Sequence, residues 1–175
     1  ATKLRGYYQI NNGTTGATDH SNQYLGPLIL ATANRPVRIL FQNNLPLSGT
    51  AGSNLFIPVD STAMGAGMGP LFPNGTSCNP ASQACAFYTQ NRATLHLHGG
   101  NTPWISDGTP HQWTVPKRDT AAIYQRGLSV EFVPDMWFDP VTHNVVPAGT
   151  PGATNDPGPG SMTFYWTNQQ SARRS

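Results

Sequence analysis

The chain is short of charge. Only 10% of its 175 residues are Asp, Glu, Lys or Arg; Glu131 is the sole glutamate, and Lys3 and Lys117 are the only lysines. The strong surface helix formers are therefore scarce, which argues against a helical fold. The formal net charge is +2, and no basic run is longer than a pair such as Arg173-Arg174. That excludes the basic footprint of a nucleic-acid-binding surface. No apolar run approaches the roughly 18–20 residues of a membrane span. No signal-peptide pattern is visible, and Ala1-Thr2-Lys3 reads as a mature or trimmed end. Cysteine is scarce as well. Cys78 and Cys85 bracket a short polar stretch, and neither has a histidine beside it. They are either a local disulfide, which suits a periplasmic or secreted protein, or two free thiols in a loop.

Turn formers are plentiful, with 18 glycines and 16 prolines. A chain of this length is large enough for one cored domain, so residues 1–175 are expected to form a single unit. Short alternating segments separated by turn signals predict an all-β, loop-rich sandwich. The expected strands are Lys3–Ile10, Pro36–Asn43, Leu128–Pro134 and Ser161–Thr167, with a shorter one at Leu55–Pro58. In Pro36–Asn43, Val37, Ile39 and Phe41 share a face. Residues 139–160 are too polar and too broken by Pro and Gly for a core. Gly65 to Pro70 is glycine-rich, but no Lys-Ser/Thr follows it, so it is not a phosphate cradle.

The most informative stretch runs from Arg92 to Gly108. Alternation along a strand points Leu95 and Leu97 to a core and His96 and His98 to the other face, with their Cα atoms about 6.6–6.8 Å apart. Two imidazoles so placed can share one metal or each hold a different metal of a cluster. They also fit two polar residues on a half-exposed strand. Gly99-Gly100 lets the backbone turn next to them. His20, His111 and His143 sit in polar or Pro-rich loops, where a solvated or hydrogen-bonded histidine is the simpler reading. Met64 and Met68 offer soft sulfur that suits Cu(I), or plain packing.

His96-Leu97-His98-Gly99-Gly100, followed by Ser106-Asp107-Gly108, resembles the first copper motif of bacterial multicopper oxidases, the laccase and spore-coat laccase group. The corner Tyr24-Leu25-Gly26-Pro27, the strand Pro36-Val37-Arg38-Ile39 and the turn Asn43-Asn44-Leu45-Pro46 resemble the opening of a cupredoxin domain in the same family. The resemblance implies a Greek-key cupredoxin fold and copper as cofactor. It implies that His96 holds a type 2 copper and His98 one of a type 3 pair. Asp107 matches an acidic residue that relays protons to reduced oxygen; its place in Ser-Asp-Gly equally suits a turn.

The family's type 1 copper needs a cysteine flanked by histidines, and its trinuclear cluster needs four His-x-His motifs. This sequence has no such cysteine and one such motif. After Asn168-Gln169-Gln170, where the family continues into a second His-x-His, the sequence stops at Ser175. The expectation is an N-terminal copper domain of a laccase-like oxidase, inactive alone. Its partners would be the remaining cupredoxin domains, with dioxygen and a reducing organic or metal substrate. One alternative is a stand-alone periplasmic copper carrier using His96, His98, His111 and Met64 or Met68. Another is a metal-free structural sandwich.

Overall fold

The structure is a computed structural model that describes residues 4–10, 25–63, 65–69, 85–127, 129–130 and 158–169. The chain divides into two compact units, Ala1–Thr32 and Ala33–Ser175. In the first unit the described residues form neither strand nor helix, so the strand expected at Lys3–Ile10 is not formed over 4–10. Leu4, Tyr7 and Ile10 are exposed there, so little apolar burial holds the segment in a strand. The Gly-Pro corner is present: Gly26 has φ 75°, a conformation that favours glycine.

Among its described residues the second unit is strand-rich and nearly without helix. Its described strands are β1 (Val37–Gln42), β2 (Met68–Gly69), β3 (Ala86–Phe87) and β4 (Ser161–Trp166). β1 pairs antiparallel with β4, and β2 with β3, giving two small sheets. The β1–β4 register sets Val37 opposite Trp166, Ile39 opposite Phe164 and Phe41 opposite Met162. All six side chains lie on one face because the pleat alternates. Phe41, Met162, Phe164 and Trp166 are buried on it, while Arg38, Leu40 and Gln42 are exposed. Phe41 and Phe164 meet edge to face, with ring centroids 6.3 Å apart. That is the arrangement aromatic quadrupoles favour. Val37, Ile39, Ala93, Leu95, Leu97 and Val130 pack around this cluster.

Two sequence expectations fail here. Leu55–Pro58 forms bends rather than a strand. Ser129 and Val130 have helical backbone, so the strand expected at Leu128–Pro134 is absent where it is described. Three alternating apolar residues set one side of that segment, but Val130 reaches the core from a turn whose amide donates to Gly127.

A second core joins Trp113, Val115 and Ala122 with Tyr88 and Tyr124. Arg92 stacks on two of these rings, its guanidinium carbon 4.9 Å from Tyr88 and 5.0 Å from Trp113. Its Nε and Nη1 donate to the carbonyls of Thr89 and Gly65. Such stacking is open to a planar guanidinium and not to lysine.

Between the cores runs a buried polar network. Asn43 Nδ2 donates to the carbonyls of Asn91 and Thr114 at 2.8 and 2.7 Å. Asn91 Nδ2 donates to Asp119 Oδ2 at 2.6 Å and to the Pro46 carbonyl at 2.9 Å. Ser48 gives the same carboxylate oxygen its hydroxyl at 2.6 Å and its backbone N–H at 3.0 Å. Asp119 is 2% exposed. Burial on its own pushes the Asp119 carboxyl up. The hydrogen bonds from Ser48, Asn91 and the backbone outweigh that and hold it below its usual value.

Two predictions follow from this packing. Phe164→Ala should cost about 3–5 kcal/mol in denaturant unfolding, the range for a fully buried Phe truncated in a close-packed core. Asp119 has a depressed folded pKa, so its stabilisation is complete above the ordinary carboxylate pKa. It is lost as pH falls through the lower folded value. Asp119→Asn should therefore be less stable at neutral pH by about 1.5–3 kcal/mol. Its stability should also change less between about pH 4 and pH 2 than that of the wild type, as read from acid-unfolding curves.

Candidate metal centre

The segment from Arg92 to His98 is extended. It carries a single antiparallel bridge, in which Ala93 and Thr114 exchange backbone hydrogen bonds at 3.0 and 3.1 Å. No regular strand forms beyond it, but the alternation expected from the sequence holds. Leu95 and Leu97 pack on the β1–β4 core, and His96 and His98 are exposed on the other side. The two imidazole centroids are 5.8 Å apart with their planes inclined by 55°. The chain then turns at His98-Gly99, where Gly99 has φ 76° and the Gly100 amide donates to the Leu97 carbonyl at 3.0 Å.

A second loop closes on the first. Trp104–Ser106 is one turn of 3-10 helix, and Asp107 follows it. Ser106 is buried: its hydroxyl accepts the Tyr165 amide at 2.9 Å, and its carbonyl accepts the Trp166 indole N–H at 3.2 Å. The turn is thus fixed to β4. Gly108, at φ 68°, lies so close to the Leu95 carbonyl that a Cβ there would overlap it.

This closure places the Asp107 carbonyl oxygen 2.6 Å from His96 Nδ1. The Asp107 carboxylate is beside it, with Oδ1 at 3.3 Å, and Thr102 donates its hydroxyl to that Oδ1 at 2.9 Å. Both atoms facing Nδ1 are acceptors. Nδ1 must therefore carry the hydrogen, and in the neutral ring the lone pair sits on Nε2. This is the second-ring-nitrogen contact that metal-binding histidines usually make.

Of the residues singled out in the sequence, the structure brings together His96, His98 and Asp107. His111 is an exposed loop residue whose carbonyl accepts the Ser129 amide. Met68 lies in β2, opposite Phe87. Cys85 is disulfide-bonded. Cys78, Met64, His20 and His143 lie outside the described residues. Among the described residues no group of three or more His, Cys, Asp or Glu side chains is placed to hold a metal ion. No helix among them is long and apolar enough to cross a membrane. Sequence reasoning missed Ser106, Thr102 and Gln112. Their roles come from contacts with Tyr165, Asp107 and the Ile105–Gly108 turn, which short polar residues in a loop do not advertise.

No family model, curated protein or solved structure matches the chain.

Gly108→Ala puts a Cβ into the Leu95 backbone from a left-handed conformation. It should lower stability by about 1–3 kcal/mol or more. It should also release the His96–Asp107 contact, visible as a changed His96 resonance in the folded fraction.

Proposed function

We propose that the chain is a copper-binding cupredoxin-type domain of a laccase-like multicopper oxidase. His96 contributes to a type 2 copper and His98 to one of a type 3 pair. The observation that carries this reading is the open imidazole pair, with His96 Nδ1 held by the Asp107 carbonyl. Neutral imidazoles suit copper, zinc, iron or nickel, and the motif's resemblance selects copper among them. The donor set fits a shared cluster better than a closed site. Two exposed rings leave a coordination sphere incomplete, and among the described residues nothing completes it. The remaining ligands, and the type 1 copper that receives electrons from substrate, would come from further cupredoxin domains. Copper at this position would supply one-electron chemistry directed at dioxygen.

The chain's own residues would do three things. Leu95 and Leu97 anchor the extended segment in the core, so the ring pair keeps its spacing. The Asp107 carbonyl orients His96. The Asp107 carboxylate, 38% exposed and hydrogen-bonded by Thr102, stands beside His96, where it can hold or pass a proton. The Greek-key arrangement belongs to the same proposal. The antiparallel β1–β4 pair and the bridges Ala93–Thr114–Arg126 are compatible with it. The disulfide at Cys85 favours an oxidising compartment, periplasmic or extracellular.

The test is copper uptake by the wild type and by a His96→Ala/His98→Ala double variant, with circular dichroism as the fold control. The wild type should bind Cu(II), and the folded double variant should lose that binding by at least about tenfold. Neither should reduce dioxygen with a phenol as donor. Equal copper binding by both proteins, or oxidase turnover by this chain alone, would refute the reading.

A further inference from the structure

Gln112 lies outside the imidazole pair and is 5% exposed. Its amide is used at both ends: Oε1 accepts the Gly108 backbone N–H at 2.7 Å, and Nε2 donates to the Ile105 carbonyl. These two contacts pick out the backbone on either side of Ser106-Asp107. Ser106, between them, is itself fixed to β4 by Tyr165 and Trp166. The Asp107 peptide is therefore clamped between β4 and Gln112, with its carbonyl aimed at His96 Nδ1. The Gln112 backbone is itself set by its amide's bond to the Thr109 carbonyl at 2.8 Å. A buried amide has no water to replace a lost partner, so either contact is costly to break.

We propose that Gln112 is a positioning residue that fixes the tautomer of His96, so that Nε2 is the nitrogen presented to a ligand. The coupling runs through the peptide backbone: Gln112 sets the Ile105–Gly108 turn, the turn sets the Asp107 carbonyl, and the carbonyl takes the Nδ1 hydrogen. Without the clamp the carbonyl is free to swing away, and the ring relaxes towards the Nε2–H form that free imidazole side chains favour in water. A metal then meets a protonated nitrogen on the exposed side. This deepens the copper reading and rests on it only for the use made of that nitrogen, since the tautomer is set without any metal.

The experiment is long-range proton–nitrogen NMR of the histidine rings in the metal-free protein. It is run at about pH 8.5, roughly two units above an ordinary histidine pKa. Wild-type His96 should be wholly the Nδ1–H tautomer. In Gln112→Met, which keeps the side-chain length and removes both hydrogen bonds, His96 should become a mixture with substantial Nε2–H. Cu(II) affinity should fall by about 10–100-fold, with the His98 tautomer unchanged. If Gln112→Met does not fold, Gln112→Glu is read the same way, since it retains the acceptor for Gly108 and loses the donor to Ile105. Wild-type His96 in the Nε2–H form overturns the inference. So does an unchanged tautomer in a folded variant, or failure of both variants to fold, which would leave Gln112 a purely structural role. A wild type that shows the tautomer and its loss but binds no copper would sink the copper reading and leave this inference standing.

Discussion

The pairing of β1 with β4 supports everything described around the imidazole pair. Its inner face buries Phe41, Met162, Phe164 and Trp166. Leu95 and Leu97 pack on that same face, so the extended segment carrying the histidines is held there by apolar contact. The bridge between Ala93 and Thr114 adds backbone pairing to that contact. β4 also holds the other half of the site. Tyr165 and Trp166 grip Ser106 and so fix the turn that carries Asp107. One sheet therefore positions both the segment carrying the histidines and the loop that orients His96. Loosening the sheet would disturb the His96–Asp107 contact from both sides at once.

The polar network around Asp119 is a second constraint of a different kind. It ties the end of β1, through Asn43, to the carbonyls of Asn91, just before the histidine segment, and of Thr114, which bridges to Ala93 within it. Buried polar groups are costly unless satisfied, and Asp119 Oδ2 accepts three hydrogen bonds. Two of the donors are on Ser48 and the third is on Asn91, so the network specifies how these two segments meet at Asp119. The aromatic clasp on Arg92 acts next to it, one residue from the bridge at Ala93.

What was legible in the sequence was what alternation encodes. Val37-Ile39-Phe41 and Met162-Phe164-Trp166 give strong two-residue periodicity, and both became strands. The same rule assigned Leu95 and Leu97 to the core and the histidines to the open face. Where periodicity was short it misled: Leu55–Pro58 bends, and Ser129-Val130 winds into a helical turn. Lys3–Ile10 looked strand-like in composition, yet its described residues form no strand. The clamp on Asp107 was not legible. Gln112 and Ser106 act only once the chain has folded back on β4, and no local pattern encodes that closure. Asp107 could be singled out by its motif, but the part that touches His96 most closely is its backbone carbonyl, which every residue has.

The proposed copper site is open: His96 and His98 would supply two imidazoles, and ligands from elsewhere would complete it. Pulsed electron paramagnetic resonance of the chain carrying one Cu(II) tests this directly, because remote imidazole nitrogens can be counted in the modulation. Two coordinated imidazoles are expected, with exchangeable water in the remaining positions. Three or more imidazoles would mean a site closed within this chain, as a copper carrier requires. None would remove copper from the account.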